Sequence, residues 1–379
     1  KRRGSSAPQR TSSRSDVSRR TAHAGMDRPK LRQHAAEALD QLRNLAHGAC
    51  EGDAVDTPAL RIGREDLVRR ELPDRPHDAG ASPVGGYDEA IALDPGFGKA
   101  WSARARAGIA RCEYYLASPL DTLESVQRDA GRALEIDPGD SEGLVALAEV
   151  HRMLHWDWRA ADEIYRRALA LNPNSESTHR YYALFLAARG REDALQIVDR
   201  GWHLDPLCLT NNTAAASVRY FAGDYDAAIE RCRMALDIDP TYGPARRRLA
   251  SALAASGRHR EALDEYGLVA PMRLDPVSRA WMGHTLAIAG NPSAARATAA
   301  SLVRAVDGQT APPFHLAILF AGLGDRDRAF ELLDLACQGR DPALDTLDVE
   351  PRFQPLRGDR RFGALIARLK LDRDAVQSL

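Results

Sequence analysis

Six copies of one tripeptide frame this chain: Leu93-Asp94-Pro95, Ile136-Asp137-Pro138, Leu171-Asn172-Pro173, Leu204-Asp205-Pro206, Ile238-Asp239-Pro240 and Leu274-Asp275-Pro276. Their prolines stand 43, 35, 33, 34 and 36 residues apart. A recurrence in that range marks a stack of supersecondary units, none of which buries its apolar face alone. Asp/Asn-Pro closes a helix, because the ring removes an N–H and disfavours helical geometry at the residue before it.

The residues inside each period agree with a pair of helices. Five positions before the first five prolines stand Ala90, Ala133, Ala168, Gly201 and Ala235, whereas the sixth copy has Pro271, which predicts a shortened or bent helix there. Twelve positions before the proline come Ala161, Ala194 and Ala228, each followed four residues later by Tyr165, Val198 or Cys232. Small and large groups alternating at this spacing form one stripe of an amphipathic helix, against which a neighbour packs closely. Upstream lies a glycine turn, seen at Gly223-Asp224-Tyr225-Asp226-Ala227-Ala228, Gly257-Arg258-His259-Arg260-Glu261-Ala262 and Gly324-Asp325-Arg326-Asp327-Arg328-Ala329. Glycine suits a helix C-terminus that needs positive φ. The expected packing positions are therefore Ala161, Ala168, Ala194, Ala228, Ala235, Ala262 and Ala329.

These units resemble tetratricopeptide (TPR) repeats over residues 87–340, with a half unit at 87–95. The resemblance implies an all-α fold, a right-handed alpha-solenoid of TPR helix-turn-helix repeats. Two units are irregular: one carries about nine residues beyond the usual ~34, around Ser118-Pro119, and the next has one extra near His155-Trp156-Asp157-Trp158. Residues 341–379 are expected to form a helical cap in which Phe353, Leu356, Phe362, Leu365 and Leu369 cover the last repeat.

The motif order further resembles the C-terminal TPR half of some bacterial regulators, in which the array follows a winged-helix domain, a nucleotide cyclase or a kinase. The matching stretches are Asp157-Trp158-Arg159-Ala160-Ala161, Ala170-Leu171-Asn172-Pro173, Leu204-Asp205-Pro206-Leu207 and Leu347-Asp348-Val349-Glu350-Pro351. No such effector domain is readable in residues 33–86, which offer one amphipathic stretch at Leu39, Leu42, Leu45 and Ala46, then a Gly/Pro/Asp-rich segment. The first methionine is Met26, and the half unit at 87–95 suggests that something is missing upstream.

Solenoids act through surfaces. Carried over from the TPR resemblance by counting from each proline, the partner-groove positions are Arg180, Leu184, Thr213, Ser217, Tyr220, Arg247 and Ser251. Arg180 and Arg247 would offer forks to a carboxylate, and Tyr220 a rigid aromatic anchor. Asn211 and Asn212 do not stand where the family's lysine/asparagine carboxylate clamp stands, so no chaperone-tail specificity follows.

The function expected is a non-catalytic protein-interaction scaffold binding a partner segment in the concave TPR groove. The alternatives are a detached regulatory module of a transcription regulator, cyclase or kinase, and a self-association module that pairs through its uncapped first half-repeat. No GxSxG, GxxxxGK[ST], HExxH or CxxC occurs, so no catalytic residue, cofactor or metal is expected. His151 and His155 have a ligand-like spacing, but Arg152 stands where a zinc-protease helix needs glutamate. Trp156 and Trp158 flank Asp157 at the turn between two helices, where one ring is expected to fill the gap left by the inserted residue, the alternative being an aromatic stacking platform for a ligand.

Charge separates the N-terminal tail from the rest. Residues 1–32 hold ten Lys/Arg against two Asp/Glu, which leaves 42 basic and 51 acidic residues in the remainder. The tail is too polar to fold and is the one segment expected to bind nucleic acid, weakly, through its charge. No stretch approaches the roughly 18 apolar residues of a membrane span, and the five cysteines are scattered, so a cytoplasmic protein is expected; the resemblance to bacterial regulators implies a bacterial one.

Overall fold

The computed structural model describes residues 83–269, 275–303 and 311–371. The basic tail, the segment preceding residue 83, Pro271 and Cys50 lie outside the described residues.

The chain folds as successive antiparallel helix pairs. A single helix, α1 (Pro83–Leu93), precedes them. The pairs are α2 (Gly98–Glu113) with α3 (Pro119–Ile136), α4 (Ser141–Val150) with α5 (Trp158–Leu171), and α6 (Glu176–Ala187) with α7 (Asp193–Leu204). Next come α8 (Leu209–Phe221) with α9 (Tyr225–Ile238) and α10 (Gly243–Ala255) with α11 (His259–Val269). The last are α12 (Pro276–Ile288) with α13 (Pro292–Val303) and α14 (Pro313–Gly322) with α15 (Arg326–Gln338). Two 3₁₀ turns, Pro342–Thr346 and Pro351–Leu356, and a short helix α16 (Arg360–Arg368) follow. This is the all-α solenoid that the proline spacing predicts.

Local chemistry sets each boundary. Gly223, Gly257 and Gly324 adopt φ of 81°, 82° and 76°, the left-handed geometry that ends a first helix. Asp224 and Asp325 then cap the second helix through the backbone N–H of Ala227 and Arg328. The packing alanines 161, 168, 194, 228, 235, 262 and 329 are all buried. Gly201 shows why its position must be small: a Cβ there would stand 2.8 Å from His179 Cβ.

Successive first helices pack on one another, whereas second helices meet their own partner and the following first helix and make no comparable contact with each other. The first helices therefore line the inner face of the stack. The extra residue near Trp156 is absorbed by a π turn, His151–His155, at the end of α4. Its cap, Trp156, has φ 50°. Both tryptophans are buried: Trp156 lies under Arg340 at 3.6 Å, and Trp158 Nε1 donates to Leu369 O at 2.9 Å. The longer α2–α3 unit places Tyr115, at φ 57°, in the loop between its helices.

Candidate functional site

The inner face is occupied along part of its length by the chain's own residues 341–356. Helix α16 does act on the last pair, through Arg361 to Asp327 at 2.8 Å and Arg368 to Asp334 at 3.2 Å. Of the two 3₁₀ turns before it, the first packs on α2 and the π turn at the other end of the array, and the second on α14 of the last pair. Phe353 is fully buried against Phe314 of α14, with ring centroids 5.3 Å apart, and Leu344, Leu347 and Leu356 are buried with it.

Polar ties fix this segment at three places. The first joins the two ends of the array. Trp281 Nε1 donates to His315 Nδ1 at 3.1 Å, His315 Nε2 lies 2.8 Å from Tyr115 Oη, and Tyr115 donates to Asp341 Oδ1 at 2.9 Å. An accepting Nδ1 requires the proton on Nε2, so the four groups form one donor chain running from Trp281 to Asp341. Burial, with Arg352 and Arg247 adding to it, lowers the His315 pKa to about 3, which keeps the ring neutral as the chain demands. Burial raises Asp341 to about 6 against the opposing hydrogen bonds from Ala343 N–H and Tyr115.

Arg152, on the π turn, is the second tie. It donates to Glu149 at 2.8 and 2.5 Å, to Asp345 Oδ2 at 2.9 Å, to Pro342 O at 3.1 Å and to Glu113 Oε1 at 3.2 Å. Glu149 also accepts from Tyr165 Oη. Burial and the neighbouring Glu149 push Glu113 up to about 7, against the pull of Arg152. Arg189, at the end of α6, approaches the same tail residue and donates to Asp345 O at 3.3 Å while stacking on Trp158 at 3.7 Å.

The third tie is Glu350. It accepts from Tyr220 Oη at 2.9 Å and from Arg352 Nε and Nη2 at 2.7 and 2.8 Å, and Arg352 lies 4.0 Å over Trp281. Burial alone would raise its pKa, but Arg352 overrides that and brings it to about 2.

The groove positions fall into distinct environments. Tyr220 is 1% exposed and turned onto Glu350. Thr213, Ser217 and Ser251 each donate to the carbonyl four residues back. Leu184 is half-buried against the core. Arg180 donates to Thr210 at 3.0 Å and stacks on Tyr181 at 5.0 Å, and Arg247 pairs with Asp275 at 3.1 Å. Arg180, Tyr181 and Arg247 remain half-exposed on the inner face, with Arg106 ion-paired to Glu142 beside them.

Tyr115, Arg152, Arg189, Asp341, Asp345, Glu350 and Arg352 were not among the positions that counting from proline picks out. His151 and His155 stack edge-on at 5.4 Å, and His155 pairs with Gln127 at 3.3 Å. Among the described residues no group of three or more His, Cys, Asp or Glu is placed to hold a metal ion, and no helix is long and apolar enough to cross a membrane.

Residues 222–285 match the profile of the Tetratricopeptide repeat family. A stretch of 110 residues is 33% identical to the Small glutamine-rich tetratricopeptide repeat-containing protein 2 of Mycosarcoma maydis. That stretch covers 29% of this chain, which spans only 22% of the relative's length. Among solved structures, a tetratricopeptide repeat protein from Parabacteroides merdae aligns at 16% identity and a TM-score of 0.46, over 70% of this chain and 98% of that one. Pseudomonas aeruginosa PilF aligns at 23% identity and a TM-score of 0.40, over 55% and 94%. With the repeated helix pairs, their glycine turns and the matched stretch in hand, the chain carries a tetratricopeptide-repeat domain at residues 222–285, and the helix pairs on either side repeat its form.

Proposed function

We propose that the chain is a protein-interaction scaffold whose inner face receives a partner segment, with no catalytic step assigned to it. One observation carries this reading: the inner face already holds an irregular, non-α-helical segment, residues 341–356, through carboxylates met by Arg152 and Tyr220. A face that accommodates such a backbone in cis has the shape and donors to accommodate one in trans. The half-exposed Arg180, Tyr181 and Arg247 supply the part that the chain's own segment leaves uncovered.

The test uses a partner captured by the whole chain from its native lysate and then purified. Charge reversal at Arg180→Glu with Arg247→Glu should weaken its binding about tenfold or more. Helicity should be unchanged, because neither side chain is part of a buried core cluster. Unchanged affinity rejects the inner face as the partner site.

A further inference from the structure

The inner face is not fully satisfied by the segment that covers it. Arg189 is 7% exposed, yet it donates only to the carbonyl of Asp345, and its Nε and Nη2 have no hydrogen-bond partner. Nη1 of Arg248 is buried without a partner as well; its guanidinium sits 4.9 Å over Tyr220 and 5.5 Å over Trp281, beside the Glu350 tie. Arg352 Nη1 is a third such donor. A buried guanidinium facing a carbonyl where a carboxylate would fit forgoes a charge-assisted, bidentate contact. Two of the three places where the segment is tied thus carry spare cationic donors; Arg189 and Arg248 belong to the array, and Arg352 to the segment itself.

We propose that this region is a receptor for a carboxylate-bearing irregular segment, and that residues 341–356 are its built-in, imperfect occupant, which a more acidic partner segment displaces. The inference rests on the scaffold reading and names the partner's chemistry: acidic side chains set to meet Arg152, Arg189 and Arg248 together, between apolar residues that take the places of Leu344, Leu347 and Phe353. While the chain's own segment stays in place, Tyr115 and Asp341 hold the first pair against the last and the array is closed. When it leaves, clusters such as Ala105, Ile109, Leu123 and Val126, or Ala228, Ile229, Cys232 and Leu249, are untouched, whereas the cluster that Leu344, Leu347, Phe353 and Leu356 share with Trp281 and Phe314 has to be refilled by the apolar residues of the incoming segment.

The probe is a fluorescent peptide with the sequence of residues 341–356, beside a copy in which every Asp and Glu is replaced by its amide. Both are titrated into the full chain and into the Asp345→Asn/Glu350→Gln chain, whose own segment is weakened. The acidic peptide should bind the weakened chain about 10- to 100-fold more tightly than the unaltered one, the range expected for lost charge-assisted bonds. The amide peptide should not bind. Tyr220→Phe added to the weakened chain should weaken binding of the acidic peptide about tenfold, because it removes the donor that meets the peptide's Glu350 carboxylate. Arg189→Met alone, in the otherwise natural chain, should leave the unfolding midpoint level or higher, because it removes an under-paired buried cation. Equal binding of the amide peptide, no binding to the weakened chain, or a fall in midpoint on Arg189→Met overturns the proposal. So does loss of helicity in the weakened chain, which would make the segment part of the cooperative core. A partner still lost on reversal of Arg180 and Arg247 would leave the scaffold reading standing.

Discussion

Arg152 is where the account is most exposed to test. Its side chain is 9% exposed and serves Glu149 and Asp345, themselves 2% and 9% exposed, together with Glu113 at 30%. Arg152→Met keeps most of the volume and removes the cation, leaving those carboxylates with too few donors. Breaking a buried ion pair from one side costs roughly 3–5 kcal/mol, because the partner charge stays buried. The cost should depend on pH. Without the cation the folded-state pKa of Glu113 rises still further above its ordinary value, so the folded variant takes up a proton and recovers stability as pH falls. Urea unfolding followed by far-ultraviolet circular dichroism should therefore give a loss of about 3–5 kcal/mol near pH 8 and a smaller one near pH 5. A loss below about 1 kcal/mol at both pH values would place Arg152 in the range of exposed ion pairs and refute the buried tie between the π turn and the tail.

Three further outcomes follow from the packing. Ala228→Trp should lower stability by at least roughly 1–3 kcal/mol, since Ala228 is fully buried between helices; an unchanged thermal midpoint would refute the helix register. Gly201→Ala should also destabilise, because its Cβ would meet His179 Cβ at 2.8 Å, and a stability equal to the natural chain would mean that α6 and α7 are farther apart. Burial and Arg352 hold the pKa of His284 down at about 3, so the folded chain keeps this ring neutral while the unfolded chain protonates it near 6.5. The contribution of His284 is then complete above pH ~6.5 and is lost as pH falls toward ~3. Relative to His284→Gln, the natural chain should lose stability over that window, and parallel pH profiles would refute the assignment.

The fold was legible because it repeats. An Asp/Asn-Pro step recurs six times and a glycine at positive φ turns five of the described pairs, and such periodic signals add up over a long chain. The tail was not, because Tyr115 with Asp341, Arg152 with Asp345 and Tyr220 with Glu350 are single contacts between residues more than a hundred positions apart. Nothing periodic announces them. Counting back from proline names a helix face but not what covers it, and Tyr220 is covered by Glu350 of the same chain. Two departures from the period did carry the signal. The longer α2–α3 unit brings Tyr115 to the clasp, and the single added residue makes the π turn on which Arg152 sits. Such turns interrupt helices most often where a side chain has a special task. Phe353, Leu356, Phe362, Leu365 and Leu369 read as a cap from their apolar character alone, and that character is the same whether a residue covers the end of a stack or its inside.

Closure of the array by its own C-terminal segment is the claim on which the rest stands. Spin labels placed at exposed Ser118 and Gln338, followed by a pulsed electron-resonance distance measurement on the full chain, test it most directly. Ser118 lies in the Tyr115 loop and Gln338 three residues before Asp341, so the hydrogen bond between Tyr115 and Asp341 predicts one narrow, short distance. A broad distribution centred at long range would show the first and last pairs apart, and would contradict the account.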